Sequence, residues 1–174
     1  MSTIIIFQRE IHTDKWFYPC SKDDLEQALP EFPEEDKTGI HAIGLAPCTH
    51  KNMYVEGVYF RVPQPYIEIR ALPSNLQIKI PNTVKYSKTQ LHLQSALEYG
   101  MKLTKEGNRI IANWNATDLR AYTLEFLLAH EIGHHVYYLR NDNCTSQSTQ
   151  TKEGFANMYA MQHIRKLHGR GNIP

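Results

Sequence analysis

The chain has 174 residues, with 19 lysines and arginines against 18 aspartates and glutamates and a formal net charge of +1. That length supports one domain with a real core, and the balanced charge gives no global pull toward nucleic acid or an anionic membrane. No apolar run approaches the roughly 20 residues that a membrane-spanning helix needs.

The first element predicted is a strand at residues 3–8, rich in β-branched side chains. Its apolar patch, Ile4 to Phe7, is too short for a secretion signal and has no basic lead-in. Residues 21–29 read as a short helix, with Ser21 as its N-cap and Asp23 and Asp24 in its first turn. Pro30 and Pro33 end it. Residues 30–39 are turn-rich and acidic, which predicts a surface loop with Glu34, Glu35 and Asp36 solvated.

Residues 39–80 read as β-structure. Residues 54–62 are rich in Tyr, Val and Phe, and residues 66–71 and 76–80 alternate apolar and polar with period two. Short links with Pro63, Pro65, Pro73, Ser74 and Asn75 between them predict an antiparallel meander of half-buried strands. Residues 88–101 lean to helix, with Leu91, Ala96, Leu97 and Met101 on one face, although Leu91-His92-Leu93 also alternates. Residues 103–114 suit a hairpin turning at Lys105-Glu106-Gly107-Asn108.

After Trp114 the period changes to that of a helix. Asn115 or Thr117 can cap it, and one stripe runs through Leu119, Tyr122, Thr123, Phe126, Leu127, His130, Gly133, His134 and Tyr137. Residues 117–139 are therefore expected as one long helix. Gly133 in its middle costs about 1 kcal/mol relative to Ala, and its expected use is close approach by another element. Residues 141–151 are polar and predict an exposed loop that could cover a neighbouring cleft. Thr151 can cap a last helix running to about residue 168.

His130-Glu131-Ile132-Gly133-His134 contains the pattern H-E-x-x-H. Four residues apart on a helix is one turn on one face, so His130 and His134 can aim two imidazoles at one ion. Glu131 beside them can act as a base on a water at that ion. Phe126 and Leu127, one turn earlier, would bury the ligand face. A catalytic zinc needs at least three protein ligands, and Glu153 on the last helix is the candidate for the third. Asn157 shares its face and can orient an imidazole as an outer partner. His135, His163 and His168 are expected at the surface, and Tyr137, Tyr138 and Tyr159 in the core.

His130-Glu131-x-x-His134, 18 intervening residues and Glu153 resemble the gluzincin metallopeptidases. The stretch Glu153-Gly-Phe-Ala156-Asn157-Met-Tyr159-Ala160 also resembles the E-x-x-A-N-x-F/Y-A pattern of small ImmA/IrrE-type peptidases. The likeness covers residues 119–161. It implies zinc ligands at His130, His134 and Glu153 and a general base at Glu131. Together with the pattern read along the chain, which is β-rich over about 1–114 and helical over about 115–168, it implies a single α+β zincin-like domain with an antiparallel or mixed sheet packed on the active-site helix and a C-terminal helix. In such enzymes the strand before the active helix borders the cleft and takes a peptide by strand addition. Asn113 and Trp114 are then substrate-binding positions, or simply a strand end.

The expected function is a zinc metallopeptidase acting on a protein or peptide, with no nucleic acid or membrane partner indicated. The alternative is a non-catalytic zinc-stabilised interaction or regulatory domain, which a fourth side chain on the ion, such as Cys144 or His135, would favour. Cys20, Cys48 and Cys144 are odd in number and widely spaced. With no leader segment, they suit free thiols in the cytoplasm.

Overall fold

The computed structural model describes residues 3–11, 13–48, 56–81, 90–141 and 147–169. Its architecture is α+β, with sheets packed against long helices. In chain order, β1 (Ile5–Gln8) and β2 (Trp16–Phe17) precede α1 (Lys22–Ala28). Ser21 caps α1 in a capping box with Asp24, as its sequence predicts. Residues 30–39 are not wholly loop, because α2 (Glu34–Lys37) forms there. Asp36 is buried, not solvated: its carboxylate accepts from the Tyr159 hydroxyl at 2.8 Å and from Arg140 at 3.4 Å. This pins the short helix to two later elements.

β3 (Ala42–Ala46), β4 (Gly57–Phe60) and β5 (Tyr66–Arg70) join β1 in a sheet of order β1-β3-β5-β4. It is mixed, not a meander: β3 runs parallel to both β1 and β5, and β4 alone is antiparallel to its neighbour. The β1–β3 connection carries two helices, and a crossover of that length returns the chain in its original direction. β5 is also more than half-buried. Its polar residues Glu68 and Arg70 are enclosed, with Arg70 3.8 Å and Arg9 3.3 Å from the Glu68 carboxylate. Period two marked the two faces, but both are covered.

β6 (Leu72–Pro73) pairs with β2. β7 (Gln77–Pro81), β8 (Lys102–Glu106) and β9 (Arg109–Asn113) form an antiparallel sheet of order β7-β9-β8. β8 and β9 are the predicted hairpin, and Gly107 at its turn has φ +59°. Between β7 and β8 lies α3 (Gln90–Glu98). Ala96 and Met101 are buried beside it, whereas Leu97 faces outward.

Residues 116–140 form the expected long helix, capped by Asn115, whose side chain accepts from the Asp118 amide. α4 (Ala116–Ala121) passes into α5 (Leu128–Arg140) through a wider turn over Tyr122–Leu127. There the Leu128 amide reaches back five residues to Thr123 O. Such a π-turn inserts a residue and rotates the helix beyond it. α6 (Thr149–Gly169) starts earlier than expected. Ser148, not Thr151, accepts from the Thr151 amide at 3.1 Å.

α5 lies between β4 and β5 on one side and α6 on the other. A Cβ on Gly133 would stand 2.9 Å from Ala156 Cα and 3.0 Å from Ala156 O. The glycine thus lets α6 touch α5 backbone to backbone. Ile43, Leu45, Ile67 and Ile69 of the sheet share one apolar cluster with Leu119, Phe126, Leu128, Ile132 and Ala160 of the helices. His163 belongs to this interior rather than the surface, stacked on Phe32 with centroids 4.0 Å apart. His168 is exposed and pairs with Glu125 at 2.8 Å. Tyr137 is buried, while Tyr138 and Tyr159 are half-buried. No helix among the described residues is long and apolar enough to cross a membrane.

Candidate metal centre

α5 and α6 bring His130, His134 and Glu153 together. His130 Nε2 lies 3.1 Å from His134 Nε2 and 3.5 Å from Glu153 Oε2. His134 Nε2 lies 3.6 Å from Glu153 Oε1. Donors each 2.0–2.2 Å from one tetrahedral zinc are about 3.3–3.6 Å apart. Two of the three observed separations lie in that range and the third, 3.1 Å, just below it, so the cluster fits such an ion.

The donor chemistry fits as well. Burial is the main cause that lowers both His130 and His134 to about 4, and for His134 the neighbouring His130 adds to it. Both imidazoles are therefore neutral at neutral pH, the form that ligates a metal. The π-turn and the apolar stripe produce that burial: Phe126, Leu127, Leu128 and Ala129 are all enclosed.

Glu131 points to the sheet. Burial, and next the negative charge of Glu153, push it up to about 8, against the opposing pull of the Tyr59 amide and Arg70. Its carboxylate rests on Gly57 of β4, where a Cβ would stand 2.8 Å from Oε1 and 3.1 Å from Leu127 Cδ1. β4 is an edge of its sheet among the described residues. Glu56 O accepts from the Arg70 amide, so by antiparallel alternation Gly57 and Tyr59 turn their backbone groups away from β5, toward the free edge.

Asn157 is buried against His130 and favours its protonated nitrogen. Its Oδ1 makes no well-formed hydrogen bond. An orphaned acceptor beside a candidate ligand matches the orienting role that the sequence suggests, since an imidazole N–H would satisfy it.

Other expectations for this region change. His135 is not a surface residue: it is buried, with Nε2 2.9 Å from Thr38 O and Nδ1 3.1 Å from the Tyr59 hydroxyl. Those partners hold it on the far side of α5, so it offers no fourth ligand. Asn113 is occupied within its sheet by Gln77, Thr104 and the Lys102 carbonyl. Trp114 is buried against Tyr122. Their strand, β9, has β7 on one side and β8 on the other, so its backbone groups are already paired and strand addition is not open to it. Cys144 and the rest of residues 142–146, within the expected 141–151 loop, fall outside the described residues, and Thr149–Thr151 belong to α6.

The residue that sequence reasoning missed is His92 on α3. Its Nε2 lies 3.2 Å from each ring nitrogen of His130. Nothing in the spacing from His92 to His130 signals this, because the approach is made by packing two helices together. No protein family matches the chain, and neither any curated protein nor any solved structure does.

Proposed function

We propose that the chain is a zinc-dependent peptidase working in the cytoplasm. One observation carries the reading: two neutral imidazoles and Glu153 converge beside a buried carboxylate, Glu131, that is held at a sheet edge. A purely structural ion needs no such base. His130, His134 and Glu153 would hold the ion, and Asn157 would orient His130. Zinc bound there supplies a Lewis acid and a more acidic water.

With the ion in place, Glu131 would be the base that accepts a proton from the attacking water and returns it to the leaving amine. A cation held by the three ligands would favour its charged form and so lower the pKa that burial first, and Glu153 second, raise. The Tyr59 amide and the Gly57 surface fix where its carboxylate stands. An extended peptide adds to the free edge of β4 through the outward backbone groups of Gly57 and the carbonyl of Tyr59, the Tyr59 amide being held by Glu131. This moves the peptide-pairing role from β9 to β4. The cytoplasmic setting is proposed on the odd number and wide spacing of Cys20, Cys48 and Cys144.

A second reading, a non-catalytic zinc-stabilised interaction or regulatory domain, is favoured by the imidazole of His92, which groups with His130 and Glu153 as possible donors to one ion. The experiment is metal analysis with digestion of an unstructured protein such as casein, read by mass spectrometry. Glu131→Gln keeps zinc and loses at least about 10²-fold in turnover, while His130→Ala loses both. A folded, zinc-supplemented protein without bound zinc refutes the site. Bound zinc with wild-type and Glu131→Gln proteins equally inert supports the second reading.

A further inference from the structure

His92 is not merely near the cluster. Its Nε2 is 3.2 Å from His130 Nε2, and the two rings meet edge to face with centroids 4.1 Å apart and planes at 82°. His92, His130 and Glu153 offer donor atoms that all lie within 4.8 Å of one another. The 3.2 Å separation matches the 3.1 Å between His130 and His134, close to the edge of a zinc tetrahedron.

His92 Nε2 stands as close to His130 Nδ1 as to Nε2, and a proton or a cation can bridge two imidazole nitrogens at that distance. A proton between them would occupy the His130 lone pair that a metal requires. A shared ion leaves both lone pairs satisfied.

The placement is built into α3. His92 packs edge-on against Phe126 at 5.2 Å. At the end of that helix the Tyr99 hydroxyl donates to Glu125 at 2.7 Å, and Ser95 and Ala96 are buried. These contacts press α3 onto the turn of helix that precedes His130.

We propose that His92 is the fourth protein ligand of the metal in the substrate-free protein, so that α3 closes the position that water and a peptide need. The proposal rests on the reading of His130, His134 and Glu153 as metal ligands. His92 comes from α3, outside the α5–α6 pair that carries the other three. Hydrolysis then requires its departure, and the centre is self-inhibited by a histidine.

The test uses the full chain loaded with zinc for X-ray absorption and with cobalt(II) alone for visible spectroscopy. Wild type is expected to show three imidazoles and the intense absorption of a tetrahedral cobalt. His92→Phe, which keeps a ring against Phe126, is expected to show two imidazoles with an added oxygen. It should also show a weaker cobalt spectrum and at least about tenfold lower metal affinity. His92→Asn is the second variant if the larger ring perturbs folding. Two imidazoles in the wild type, or spectra unchanged by either substitution, overturn the role of His92 while leaving the three-ligand site standing. A folded wild type that takes up neither metal overturns both.

Discussion

Replacing Gly133 by alanine tests how the metal centre is held together. The new Cβ would stand 2.9 Å from Ala156 Cα and 3.0 Å from Ala156 O, both backbone atoms that cannot rotate away. Reaching even the 3.4 Å edge of ordinary contact requires α6 to retreat by about 0.5 Å. Alanine gains about 1 kcal/mol in helix propensity, and overpacking costs about 1–3 kcal/mol. The net is a loss of about 0–2 kcal/mol, a fall of a few degrees in Tm for a domain of this size. The larger effect falls on the site. Glu153 and Asn157 flank Ala156 on α6, and the Glu153 oxygens already stand 3.5 and 3.6 Å from their imidazole partners. A further 0.5 Å, passed on in full, approaches the limit of about 4.2 Å that one ion bound 2.1 Å from each donor can span. Zinc affinity, measured by competition with a chromophoric chelator, should fall at least about tenfold while the fold survives. A variant that gains stability and keeps wild-type affinity would refute the claim that this backbone contact positions the third ligand.

Other contacts lead to three more expected outcomes. Gly57→Ala puts a methyl against the Glu131 carboxylate. Zinc content should be unchanged and turnover should fall by about 10²-fold, the cost of misplacing a base by up to 1 Å; equal kcat in the two proteins would show that β4 does not position Glu131. Asp36→Ala strips the Tyr159 hydroxyl and Arg140 of their shared acceptor. It should lower stability by about 1–3 kcal/mol in urea denaturation, and an unchanged midpoint would remove α2 from the account of how the helices are held. The metal-free chain should be most stable near about pH 6.5. His130, His134 and His163 are lowered to about 4 and His92 to about 3, so their contribution is complete above 6.5 and lost as pH falls toward 4. Glu131 is raised to about 8 and Glu56 to about 7, so theirs is complete below 4.5 and lost as pH rises through those values. Thermal melts in chelator from pH 5 to 8 check this, and a stability that keeps rising to pH 8 contradicts it.

Local chemistry was legible along the chain. The Ser21 cap, the Gly107 hairpin and the helix beginning at Asn115 each depend on residues within a few positions of one another. The same holds for His130, Glu131 and His134, because one helical turn fixes their common side. Even Gly133 was readable as a point of close approach, since a mid-helix glycine that costs stability needs a compensating contact. Alternation over residues 66–71 located a strand but not its surroundings. Which neighbours cover Glu68 and Arg70, and whether β3 runs parallel to β5, depend on how distant segments cross.

The same division runs through the metal centre. A short repeat and a helical period were enough to propose two histidine ligands and a base, and a likeness in the last helix proposed Glu153. Only tertiary packing decided that His135 turns away to Thr38 and Tyr59. Only packing seats Glu131 on Gly57 at the edge of β4, and closes β9 between two neighbours. His92 is the clearest case. Its contact with His130 spans 38 residues, and no periodicity carries information over that distance. It exists because α3 and the π-turn before α5 bury apolar faces against each other. That burial sets the angle at which a third imidazole meets the other two.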